Sequence, residues 1–79
     1  MSPTVFRFGP YRFFFFSREE QRPHVHVYHG DGEAKIWLEP AVGMAQYQGL
    51  SPKRIKTVLR LVREHEDEIR QAWKKHFGN

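Results

Sequence analysis

The chain has 79 residues, no cysteine, 39% hydrophobic and 15% aromatic residues, and a formal net charge of +4. This composition is too apolar for a disordered tail, excludes disulfides and thiolate zinc sites, and holds no run of about 18 apolar residues that would span a membrane. The start lacks the charged-then-apolar layout of a signal peptide, which points to the cytoplasm, and the basic balance favours an anionic partner such as nucleic acid or an acidic protein.

Residues 1–79 are read as one domain. A chain this short buries only roughly 60% of the surface that its unfolded state exposes. Without covalent staples, aromatic packing, a histidine-held metal or oligomerisation must supply the rest, and a homodimer is the expectation.

Thr4 to Phe8 and Tyr11 to Ser17 read as two strands joined at Gly9-Pro10, where glycine supplies the positive φ of a tight turn and proline the negative φ that follows. Ser17 to Arg22 is charged and aperiodic, hence a loop, and Pro23 opens a third strand. A second hairpin joins His24 to His29 with Glu33 to Glu39 through Gly30-Asp31-Gly32. Pro40 ends that strand, and Ala41 to Leu50 reads as a connection with one helical turn around Met44 to Tyr47. Ser51-Pro52 begins a helix as N-cap and first helical residue. Ile55, Val58, Leu59, Val62, Ile69, Trp73 and Phe77 recur at spacings of three and four up to the C-cap Gly78. The predicted fold is α+β, two β-hairpins in a small antiparallel sheet packed against one long C-terminal helix, in the order ββββα.

Turn arithmetic assigns the faces. With Asp31-Gly32 as a two-residue turn, Val27 faces Ile36 and Val25 faces Leu38, so both valines, Ala34, Ile36 and Leu38 share the face that the helix covers. His24, His26 and Tyr28 then lie outward, opposite Glu39, Trp37 and Lys35 respectively. A carboxylate beside a histidine orients the imidazole and raises its pKa, which suits a metal ligand, a general base or an anion contact. His24, His26 and Glu39 are therefore the candidate catalytic residues. His24 and His26 are the candidate ligands of a divalent metal, because residues two apart on a strand point the same way. A third ligand would come from Glu39, His29 or His65. Tyr28, Lys35 and Trp37 complete an interaction face, and an exposed sheet face or a dimer interface accounts for the same residues without chemistry.

In the first hairpin Arg7 stands across from Arg12, an opposition of like charges that an anion or an acidic partner would answer; solvent or Glu19, Glu20 or a helix carboxylate would answer it as well. Phe13 to Phe16 is apolar on both faces and must meet the helix or another chain. Along the helix Lys53, Lys56, Arg60, Arg63, Arg70 and Lys74 form a basic ridge suited to phosphate contacts. Glu64, Glu66, Asp67 and Glu68 offer those cations partners at helical spacing. Glu66 falls inside the apolar stripe and needs a partner of its own. His65 and His76 lie on the other flank as packing or interface residues.

Thr4-Val5-Phe6, Tyr11-Arg12-Phe13-Phe14-Phe15, Pro23-His24-Val25-His26-Val27, Gly32-Glu33-Ala34-Lys35 and Trp73 to Phe77 resemble, over nearly the full length, the short bacterial and archaeal proteins called domain of unknown function 4160. The resemblance implies a stand-alone cytoplasmic prokaryotic protein, often encoded beside another short protein in an arrangement similar to a toxin–antitoxin pair. Two functions then compete. One is a partner- or nucleic-acid-binding module using Arg7, Arg12 and the helix ridge. The other is a small metal-assisted hydrolase or ribonuclease using His24 and His26. A structural accessory with no ligand beyond its partner chain is a third reading.

Overall fold

The computed structural model describes residues 4–16, 22–30 and 32–78. Among these residues five strands form one antiparallel sheet in sequential order: β1 (Thr4–Phe8), β2 (Tyr11–Phe14), β3 (His24–His29), β4 (Gly32–Trp37) and β5 (Gly43–Gln48). Two helices follow, α1 (Pro52–Glu64) and α2 (Glu66–Phe77). They pack on one face of the sheet, where Phe13, Phe15, Val25, Val27, Ile36 and Leu38 meet Val58, Leu61, Val62, Ile69 and Trp73 in a single buried cluster. None of the described helices is long and apolar enough to cross a membrane.

The first hairpin has the expected register, with Phe6 opposite Phe13, Arg7 opposite Arg12 and Phe8 opposite Tyr11. Gly9 takes the positive φ of 54° that the turn requires. The apolar run Phe13 to Phe16 divides between the two faces. Phe13 and Phe15 enter the core, and Phe15 meets Trp73 and Phe77 of α2 edge-on and tilted. Phe14 and Phe16 lie on the other face, packed against each other and against His26.

The second hairpin departs from expectation by two residues. His29, not Gly30, closes the hairpin by pairing with Gly32, and Val25 faces Ile36 while Val27 faces Ala34. A slip of two preserves which face each side chain occupies, so the core set is as expected, but it replaces every cross-strand neighbour. Asp31 lies outside the described residues. Gly32 is the first residue of β4, and only glycine fits there, because the backbone of Gln48 and Gly49 crosses where a Cβ would stand, 2.6 Å from the Gly49 carbonyl carbon.

The stretch expected to be a connection with a helical turn is the fifth strand. β5 pairs antiparallel with β4, Ala34 opposite Tyr47 and Ile36 opposite Met44, with a register shift between Lys35 and Ile36. The sheet is thus a five-stranded meander rather than two hairpins.

The single long helix is also two. Ser51 caps α1 as expected, its Oγ accepting from the Arg54 N–H at 3.2 Å, and Gly78 closes α2 in the left-handed region. Between them His65 leaves helical geometry at φ −111°, ψ 20°. Hydrogen bonds His65 N–H to Leu61 O and Ile69 N–H to His65 O carry the chain through the break. Two causes act there. Glu66, Asp67 and Glu68 occupy the first turn of α2, with Lys74, Lys75 and His76 in its last, the distribution that favours a new helix start. The His65 ring also packs on Phe6 of β1, 4.5 Å between centroids.

Arg70 fastens α2 to the end of β4. Its Nε donates to Glu66 at 2.8 Å, and its two terminal nitrogens donate to the Glu39 carboxylate and the Leu38 carbonyl. Partial burial alone would lower the Arg70 pKa, but Glu66 and Glu39 outweigh it and hold the group above the ordinary arginine value. Glu66 thereby has the partner that its place in the apolar stripe demands. Replacing Arg70 by Met should cost about 1–2 kcal/mol, from two partly screened ion pairs and a hydrogen bond to a carbonyl. Urea unfolding at low salt checks this, and the loss should shrink in high salt.

Candidate functional site

The helices cover one face of the sheet and leave the other to be built from strand side chains alone. In the registers of β2, β3, β4 and β5 this outer face runs Arg12, Tyr28, Glu33, Gln48 in one row and Phe14, His26, Lys35, Gln46 in the next. Arg7, opposite Arg12, extends the first row onto β1.

The shifted register regroups the predicted site. His24 stands opposite Trp37, not Glu39, His26 opposite Lys35, and Tyr28 opposite Glu33. Glu39 lies beyond the end of β4 and is held by Arg70. The structure therefore does not bring Glu39 to the histidines as their orienting carboxylate. Among the described residues no three His, Cys, Asp or Glu side chains gather at metal-binding spacing.

His24 and His26 lie in different environments although two residues apart. His24 is fully buried, its Nδ1 2.7 Å from the Arg22 carbonyl oxygen. A carbonyl only accepts, so Nδ1 carries the hydrogen. Its ring meets Trp37 and, from α2, Trp73. The parity of the strand places His24 outward, yet its ring is fully buried, against Trp37 and the α2 residue Trp73. His26 is half-buried, stacked on Phe14 at 5.5 Å and edge-on to Phe16 at 4.4 Å. His29, on the helix side, sits near Tyr11 and at 3.3 Å from Arg54 Nε. His65 and His76 pack on Phe6 and on Phe15 and Phe77 respectively.

Aromatic rings and cations interleave over this face. The Arg12 guanidinium lies 4.8 Å from the Phe14 ring centre and its Nε donates to Thr4 Oγ1 at 2.8 Å. Arg22 and Lys35 both lie over Trp37, at 3.9 and 4.6 Å. Tyr28 and Phe16 are 48% and 41% exposed between them. A shallow depression of about 280 Å³ opens among Phe16, His26, Lys35, Gln46 and Gln48. Glu33 is the one carboxylate in the described rows of the face. Arg22 was not singled out in the sequence because it sits in a charged, aperiodic stretch.

The helix ridge is less free than its spacing suggests. Arg60 pairs with Glu64 at 3.3 Å, and Arg70 is bound to Glu66 and Glu39. Lys53, Lys56, Arg63 and Lys74 are exposed, on helices that lie on the opposite side of the sheet from Arg12 and Lys35. The basic residues thus fall into two separated sets.

The family model of Domain of unknown function (DUF4160) matches residues 11–74, which spans β2 to α2. No curated protein and no solved structure matches the chain.

Proposed function

The chain belongs to the domain of unknown function 4160 family, and from that premise we propose that it is a binding module whose outer sheet face holds single-stranded nucleic acid. The observation that carries this reading is the pattern of three cations, Arg12, Arg22 and Lys35, held over aromatic rings beside the exposed rings of Tyr28 and Phe16. Bases stack on exposed rings without regard to sequence, and each stacked base contributes about 1–3 kcal/mol. The cations answer the phosphates that run between such bases. A face held together by strand registers needs no rearrangement to receive an extended strand.

The resemblance to short prokaryotic proteins encoded in pairs supports a cytoplasmic setting beside a small partner protein, as in a toxin–antitoxin-like pair. In that setting nucleic-acid binding would be the regulatory half of the arrangement.

The test is binding of a fluorescent single-stranded oligonucleotide across a salt series. Changing Arg12 and Lys35 together to Ala should reduce the slope of log affinity against log salt by about 1.4, two phosphates' worth at single-strand charge density. Tyr28→Ala should weaken binding by about 1–3 kcal/mol with little change in slope. Changing Arg63 and Lys74 to Ala should leave both unaltered. Absence of binding at low salt, or binding lost with the helix pair and kept with the sheet pair, would rule the reading out. Cleavage of the oligonucleotide that disappears in His26→Ala would support the hydrolase reading instead.

A further inference from the structure

We propose that the β5 edge of the sheet is the docking surface for a second copy of this chain, β5 pairing antiparallel with its counterpart about a two-fold axis. Among the described residues the sheet ends at β1 and β5. An edge strand leaves a row of backbone donors and acceptors unpaired, and chains that stay single protect such edges with charge or proline. β1 carries the exposed Arg7, so a second basic chain arriving there meets like charge. β5, Gly43–Gln48, has no Asp, Glu, Lys, Arg or Pro. For a chain of net charge +4 this edge is where two copies approach with little repulsion.

The side chains of β5 fit the same occupant. Gln46 and Gln48 are exposed on the outer face, opposite Lys35 and Glu33, and a primary amide both donates and accepts, so Gln46, placed on the two-fold axis, can complement its own copy. Tyr47 points to the helix side opposite Ala34 and is 57% exposed, more than Phe8, Phe16 or Tyr28. A second β5 would bring apolar surface to it from across the seam. The strand is also held firmly, because the missing Cβ of Gly32 lets the Gln48–Gly49 backbone seat against β4.

The symmetry has one geometric outcome. Directly opposed residues of antiparallel strands share a face, so the two-fold axis stands perpendicular to the sheet. Both helix layers then lie on one side and both aromatic–basic faces on the other. The depression that reaches Gln46 and Gln48 meets its counterpart at the seam. The pairing holds whatever that face binds, and it is measured without nucleic acid present.

The unaltered chain should sediment as a dimer at micromolar concentration. Changing Gln46 and Gln48 together to Lys should give a monomer with an unchanged far-UV circular dichroism spectrum, since both side chains are exposed. Because the chain contains no cysteine, Gln46→Cys supplies one thiol that can bond only to another copy. On the axis it should oxidise to a covalent dimer with a native spectrum, and Lys56→Cys on α1 should not. A monomeric unaltered chain would overturn the proposal, as would a dimer that survives the lysine pair, or crosslinking at position 56 as fast as at 46. A monomer whose β5 instead captures a strand of a different protein would overturn it equally.

Discussion

Replacing Gly32 by Ala should cost about 1–3 kcal/mol, the usual range for forcing extra atoms into a packed site, although the change adds one methyl group at the margin of the sheet. The Cβ would enter the space of Gln48 O and stand 2.6 and 2.7 Å from the carbonyl carbon and oxygen of Gly49. These are backbone atoms, so no rotamer change relieves the overlap, and β5 must move away from β4. Gly49 has a φ of 73°, which restricts how that segment can shift. Amide exchange should therefore accelerate across residues 43–48 more than across β2 and β3, with a matching loss in urea unfolding. Gly30→Ala is the control, because nothing lies within 4 Å of its added Cβ and its φ is not positive. It should be neutral or stabilising by a few tenths of a kcal/mol. Equal losses at both positions would show that turn flexibility, not the approach of β5, sets the need for glycine at 32.

Gly32 also shows where sequence reasoning reaches its limit. Asp31-Gly32 carries a strong local turn signal, yet the reason for glycine at 32 is a contact with residues sixteen and seventeen positions away. The register moved by two in consequence, and face assignments survived because side-chain direction has period two. That is why the core of Val25, Val27, Ala34 and Ile36 was legible and the pairing of His24 with Glu39 was not. β5 was hidden by its own irregularity. The register shift around Ala45 leaves Met44 opposite Ile36 and Tyr47 opposite Ala34, so two residues on the helix-side face are three apart. A spacing of three imitates a helical turn. The helix break was masked for the opposite reason. Val62, Ile69 and Trp73 keep helical spacing through His65, so periodicity is blind to it. The run Glu66-Asp67-Glu68 was the available sign, legible as helix-start chemistry rather than as partners for a basic ridge. The sequence placed Tyr28, Lys35, Trp37 and His26 on one face, as the strand registers do. Their cross-strand neighbours depended on the shifted register, and the burial of His24 on the packing of α2 against it, neither of which a local pattern encodes.

That dependence is strongest at Trp73, and Trp73→Ala should be the most damaging single change predicted for this chain. Trp73 is the α2 residue that closes the sheet's end. Its ring lies 5.2 Å from His24, 5.4 Å from Phe15 edge-on and 4.1 Å from Phe77. Truncating a buried tryptophan typically costs about 3–5 kcal/mol in lost transfer energy and residual cavity. A chain of 79 residues has about 4–12 kcal/mol in total at the usual stability per residue. The variant should therefore be partly or wholly unfolded at 25 °C, read by circular dichroism and urea titration. Trp73→Phe separates packing from polarity. The indole Nε1 is buried with no hydrogen-bond partner among the described residues, so phenylalanine removes an unsatisfied donor while keeping most of the ring, and its cost should stay below about 1.5 kcal/mol. If Trp73→Phe were as damaging as Trp73→Ala, the indole N–H would have to be making an essential bond. In that case the stability of α2 on the sheet would rest on that bond rather than on the area that the ring covers.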